Sequence, residues 1–184
     1  MAAPIGGFVL VVGPSGAGKD MVIAGARAQL AGDARFVFPR RLVTRPPSAH
    51  EDNAEITEDA FARGAEAQAF ALHWRAHGLG YAIPAEATAE AGQGRVVVCN
   101  VSRQVIEAAR RTLPGVHVVA VTAAPEVLAE RLAARGRPQD GDLAARLSRA
   151  VPTDADDTVV NDGERSVAVA RFVAILLGRA GGPR

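Results

Sequence analysis

Apolar residues along this chain fall into short unbroken runs, separated by stretches in which they recur every three or four positions. Phe8 to Val12 is such a run; Arg95 to Cys99 and Val116 to Val121 are two more, apolar but for Arg95 at the start of one and His117 within the other. Each reads as a strand buried on both faces. Phe36-Val37-Phe38 and Thr158-Val159-Val160 read as shorter strands. Between them the period is helical. Val22, Ile23, Ala26 and Leu30 give one face of a helix over 19–31 that stops at Gly32. Further helices are predicted from Pro84 to Glu90, from a Ser102 cap to Leu113, from Pro125 to Ala134, over 142–150 and from Val167 to Leu177.

Strands alternating with helices imply a parallel sheet with helices on both faces. Two segments break the alternation, about 39–83 and about 135–150. The first opens with a polar stretch, 39–56, rich in Arg, Pro and acidic groups, which reads as an exposed functional loop. It continues with a short helix from Thr57 to about Gly64. Two short strands follow, Phe70–Trp74 and Tyr81–Ile83, around a turn at His77-Gly78. The second segment is polar over Gly136–Asp142. Both read as insertions over the active face of a single domain spanning 1–184.

One segment carries chemistry on its own. Gly13-Pro14-Ser15-Gly16-Ala17-Gly18-Lys19-Asp20 fits G-x-x-x-x-G-K, between a buried strand and a helix. The glycines allow a tight loop whose N–H groups converge on phosphate oxygens, and the helix dipole faces the same anion. Lys19 would reach the β- and γ-phosphates. A plain strand-to-helix turn needs a glycine or two, but not the lysine at this spacing. Asp20 stands where the general motif has Ser or Thr. It is read as a Mg²⁺ ligand, the alternative being an acid that only favours the helix dipole.

Composition sharpens that reading. Among 184 residues there are 21 basic side chains, and Lys19 is the single lysine. Aromatics are 4%, so the core must be built from Val, Leu, Ile and Ala. The net charge of +1 argues against a general nucleic-acid or membrane-surface binder. No apolar run approaches the ~20 residues of a membrane helix, and no secretory signal is expected from Met1-Ala2-Ala3-Pro4-Ile5, which has no basic stretch before an apolar one. The one cysteine, Cys99, excludes an internal disulfide framework. A cytoplasmic enzyme is the expectation. The sequence leaves a homodimer open.

The order of parts resembles the nucleoside monophosphate kinases, and within them the guanylate kinase branch. Val43-Thr44-Arg45-Pro46-Pro47 followed by Glu51 is similar to the acceptor segment of that branch. Leu132-Ala133-Ala134-Arg135-Gly136-Arg137, with Arg146 a helix later, is similar to its lid, and Val160-Asn161-Asp162 to the strand end beside the nucleotide. Two features depart from it. No aromatic strand follows Glu51, and Cys99-Asn100-Val101-Ser102-Arg103 replaces an Asp-rich segment. The phosphate-reading parts remain and the guanine-reading parts are weak.

That combination resembles the ribose 1,5-bisphosphate phosphokinases. The strings that carry it are 13–20, Arg41-Leu42-Val43-Thr44-Arg45-Pro46, Phe70 to Leu79 with Trp74 and His77, Tyr81-Ala82-Ile83-Pro84, Asn100 to Arg103 and Asn161-Asp162-Gly163. Met21, Asn53 and Ala82 depart from the family's usual residues. Asn53 and Ala82 are expected to face the acceptor pocket.

The resemblance implies an ATP- and Mg²⁺-dependent P-loop kinase making 5-phosphoribosyl 1-diphosphate, as in phosphonate breakdown. It implies that residues 13–20 and Asn161 hold the nucleotide. Arg41, Arg45, Glu51, His77 and Tyr81 would hold the acceptor. Lys19, Arg45, Arg135 and Arg146 would act on the transferring phosphoryl group. Arg131, Arg137 and Arg149 also surround the lid, and several of these arginines are expected to be only solvated surface. A sugar bisphosphate has no base to stack, so planar arginine forks suit it better than a stacking ring. The alternatives are a guanylate kinase and a guanylate-kinase-like binding module without catalysis. Such modules typically lose the loop lysine or glycines, which are intact here.

Overall fold

The first apolar run forms β1, Gly7–Val12, buried along its whole length. The structure, a computed structural model, describes residues 6–46, 52–135 and 154–181. Next come α1 (Lys19–Gln29) and β2 (Phe36–Val37). A second group of elements follows: β3 (Arg41–Val43), β4 (Asn53–Glu55), α2 (Glu58–Glu66), β5 (Phe70–Ala76) and β6 (Leu79–Pro84). The alternation then resumes with α3 (Glu86–Gly92), β7 (Val96–Asn100), a 3₁₀ turn (Arg103–Val105), α4 (Ile106–Thr112) and β8 (His117–Thr122). Last come α5 (Pro125–Arg135), β9 (Asp157–Val160) and α6 (Arg165–Ala180).

Five strands make one sheet in the order β2-β7-β1-β8-β9, every pairing parallel. The pleat of β1 sorts its side chains between two cores. Val9 and Val11 pack with Val22 and Ala26 of α1, Leu128 of α5, and Phe172 and Leu176 of α6. Phe8, Leu10 and Val12 pack with Ala87 of α3, Ile106 and Ala109 of α4, and Leu72, Trp74 and Ile83 of β5 and β6. Helices therefore cover both faces, as the alternation predicts.

The segment 39–83 is more ordered than its composition suggests. It holds a second sheet in the order β4-β3-β6-β5. Residues 39–56, read as an exposed loop, include β3 and β4, and Val43 is fully buried. The reason is tertiary. Strands of three residues have no pattern to read, and Leu42 and Val43 become strand by pairing with Ala82 and Tyr81 of β6. Pro84, expected in the first turn of a helix, ends β6 instead, and α3 starts at Glu86. The β5–β6 hairpin turns at His77 and Gly78, both at positive φ (52° and 75°). That suits a tight two-residue hairpin turn. Thr57 caps α2, its side chain accepting from the Ala60 amide at 3.2 Å. The helix expected over 142–150 lies outside the described residues.

Candidate active site

Strand β1 ends at the loop 13–18, and α1 begins at Lys19. The loop passes so close to its neighbours that two glycines are obligatory. A Cβ on Gly13 (φ 147°) would lie 2.0 Å from the Val121 carbonyl oxygen, and one on Gly18 (φ 87°) 2.5 Å from Nδ2 of Asn161. The Lys19 ammonium donates to the carbonyls of Gly13 and Pro14 at 2.9 and 3.1 Å. It is thus held across the mouth of its own loop. Gly18 is the N-cap of α1 and supplies no capping side chain. The first amides of α1 have no intrahelical carbonyl to bond and are left to an anion.

A buried asparagine holds the loop from behind. Asn161, 2% exposed at the end of β9, donates from Nδ2 to the Ala17 carbonyl at 2.8 Å. Arg131 of α5 donates to the Asn161 carbonyl at 2.9 Å and reaches the Gly16 carbonyl at 3.4 Å. Arg131, expected among the lid arginines, is thereby tied to the phosphate loop. Asn161, expected beside the nucleotide, bonds the loop backbone in this structure.

Asp20 is exposed in the first turn of α1. One of its oxygens accepts from Nδ2 of Asn100 at 2.6 Å. Asn100 closes β7 beside Val11 of β1, at the carboxyl end of the sheet where open α/β folds bind ligands. Its own carbonyl receives Nη1 of Arg41 at 3.4 Å. Arg41 also donates from Nε to Oδ1 of Asn53 at 3.2 Å. Its guanidinium lies 5.0 Å from the centre of the Tyr81 ring, which stacks on Trp74 at 5.4 Å and 8°. The phosphate loop and the second sheet are thus joined through Asn100 and Arg41.

Register decides which second-sheet residues share that wall. Arg41 is opposite Asn53, and Val43 opposite Tyr81, so the four lie on one face. Ala82 pairs with Leu42 and belongs to the other face. Asn53 therefore faces the Arg41 wall, and Ala82, fully buried, does not. Arg45 lies just past β3, half-buried, after Thr44, whose hydroxyl accepts from the Gly80 amide at 2.8 Å. His77 is exposed at the hairpin tip, and its place is explained by the turn it makes. Glu51, Arg137, Arg146 and Arg149 lie outside the described residues. Arg135 ends α5.

Two other residues bear on the site. Asp52 accepts from Arg27 of α1 at 2.5 Å and from Arg40 at 2.8 Å, tying the second sheet to α1. Arg27 first, with Arg40, holds the Asp52 carboxyl below its usual range. The Cys99 thiol, buried in β7, is pushed up to about 12 by burial, against a smaller opposing pull from Arg41. Asn100 was legible only as part of a family string, because its partner Asp20 is eighty residues away.

No group of three or more His, Cys, Asp or Glu suited to a metal occurs among the described residues. A cation bound mainly by nucleotide phosphates and water needs one or two carboxylates rather than a cage. Asp20, exposed beside the loop, fits that demand.

No family model matches the chain. A ribose 1,5-bisphosphate phosphokinase PhnN from Methylobacterium radiotolerans is 61% identical to it over 171 residues, covering 93% of this chain and 97% of its own. The protein of that name from Acidiphilium cryptum is 50% identical over 173 residues, covering 94% and 93%. A bifunctional ribose 1,5-bisphosphokinase-thymidine phosphorylase from Cupriavidus pinatubonensis matches at 46% over 176 residues, with 29% of its length covered. Among solved structures, a guanylate kinase from Anaplasma phagocytophilum aligns with a TM-score of 0.69 at 17% identity, covering 96% of this chain and 87% of that one. That last likeness is one of fold.

Proposed function

The chain belongs to the ribose 1,5-bisphosphate phosphokinase family, and from that premise we propose that it transfers the γ-phosphoryl group of ATP to ribose 1,5-bisphosphate. The observation that carries the acceptor is the 61% identity to such a kinase, spread over 93% of the chain. The loop and its lysine supply the reaction class.

An oxygen of the sugar's 1-phosphate attacks the γ-phosphorus. The bond from that phosphorus to the β–γ bridging oxygen breaks, and ADP leaves. The product is 5-phosphoribosyl 1-diphosphate. The attacking oxygen is already ionised at neutral pH, so no general base is required. What the protein supplies is position and charge. Residues 13–20 cradle the phosphates, Lys19 leaves its loop carbonyls for the β- and γ-oxygens, and Asn161 keeps the loop in shape. Asp20 would hold Mg²⁺, which neutralises charge on the β- and γ-phosphates. Arg41, Arg45, Glu51, His77 and Tyr81 bind the acceptor. Arg135 and Arg146 serve the transferring group from the lid over 135–150. Residues 1–184 act as one kinase domain, with 39–83 as its acceptor insertion.

The test compares ribose 1,5-bisphosphate with GMP as acceptor under Mg²⁺-ATP, following ADP release and the mass of the product. The expected result is 5-phosphoribosyl 1-diphosphate with little GMP turnover. Turnover of GMP alone would make the chain a divergent guanylate kinase. ATP binding without turnover of either would make it a binding module.

A further inference from the structure

Asn100 lies between the two halves of the site and belongs to neither in the reading above. Its side-chain amide donates to Asp20 at 2.6 Å on the nucleotide side. Its main-chain carbonyl takes Arg41 at 3.4 Å on the acceptor side. The strand end that carries it is fixed. Val11 of β1 is its register partner, and the Val101 amide just beyond bonds the Val11 carbonyl at 3.1 Å. The Asp20 carboxylate, by contrast, is on an exposed first turn with rotamers of its own.

We propose that Asn100 is a positioning residue that fixes the Asp20 carboxylate in the orientation that receives the divalent cation of the nucleotide. This rests on the kinase reading. The residue types are matched for the task. A carboxylate accepts and cannot donate, so its neighbour must offer N–H. A second carboxylate at position 100 would oppose the charge on Asp20. Arginine or lysine there would neutralise Asp20 and compete with the cation. A neutral amide orients the carboxylate and leaves its full charge for the metal. The same residue's carbonyl steadies Arg41, so one strand end sets the cation ligand and the first acceptor arginine together.

The experiment is a double-mutant cycle read by Mn²⁺ binding to the enzyme–ADP complex, with free Mn²⁺ measured by electron paramagnetic resonance. Asn100→Leu keeps the shape and removes the donor, and Asn100→Ala repeats the test should the leucine form not fold. Thermal unfolding of each variant checks that it is native. A hydrogen bond to a charged group is worth enough to change affinity about tenfold. Asn100→Leu is therefore expected to weaken Mn²⁺ binding about tenfold. In an Asp20→Asn background the same change is expected to cost less than twofold, because the carboxylate it serves is gone. Equal losses in both backgrounds, or no loss in either, would overturn the role of Asn100 while leaving the kinase reading intact. Failure of the unsubstituted protein to bind ADP and Mn²⁺ would instead count against the kinase reading on which the proposal stands.

Discussion

Lys19 is the one lysine among 21 basic residues, and it is the side chain held over the phosphate loop. Its replacement by Met removes a charge that no neighbour on the loop can supply. Turnover is expected to fall by about 10²- to 10³-fold, the usual loss for one well-placed donor to developing charge, with the fold retained. At Arg41 the guanidinium's bonds to Asn53 and to the Asn100 carbonyl, with its place over the Tyr81 ring, argue against a point charge. Arg41→Lys should raise the acceptor KM about tenfold and leave the ATP KM within twofold in steady-state assays. Cys99 gives a different sort of test. With its thiol held near 12 and buried, almost none is thiolate at pH 8. Alkylation by iodoacetamide at that pH should be undetectable in the native protein and rapid in urea. Fast native labelling would contradict the buried strand.

At the scale of elements, the junction of β1, the loop and α1 was fully legible, because glycine spacing and a lysine are local facts. Asn161 was legible as a family string, but its grip on the loop was not, since it comes from 144 residues further along the chain. Asn161→Ala leaves the Ala17 carbonyl without its buried donor, and an unpaired buried group costs about 1–3 kcal/mol. Chemical denaturation should show that loss. The tie between α1 and the second sheet adds a pH dependence. Arg27 and Arg40 depress the Asp52 carboxyl in the folded state. A depressed carboxyl contributes stability that is present above its unfolded value, about 3.9, and is lost as pH falls through the folded one. Asp52 is 46% exposed, so solvent screening keeps the contribution small. Urea midpoints for the natural protein should exceed those of Asp52→Asn above about pH 4.5, and the two should converge as pH drops below 4. A gap unchanged from pH 6 to pH 3 would show that the ion pair is not what Asp52 contributes. The short strands β3 and β4 were missed for a plain reason. Three residues carry no period, and their conformation is fixed by the partner strand rather than by themselves.

For the whole molecule, the question is whether the second sheet is an appendage. Leu72, Trp74 and Ile83 share a core with Phe8, Leu10 and Val97 of the parallel sheet. Shared burial of this kind couples the two sheets, so they should unfold together. Trp74 is the single tryptophan, and it reports from the second sheet's side of this shared core. Its fluorescence and the far-ultraviolet circular dichroism should trace one coincident urea transition. An earlier loss of the Trp74 signal would mean that the second sheet is an independent unit.

The sequence by itself determined the parallel sheet, the helices on both its faces and the phosphate loop. Each rests on residues near one another in the chain, where period and spacing are sufficient. Only the tertiary structure decided the rest. It made strands of 41–43 and 53–55, put Asn53 on the face of Arg41 and Ala82 on the other, and brought Asn100 to Asp20. Those facts depend on pairing register and on contacts between residues up to eighty positions apart, and no local pattern in a single sequence encodes either.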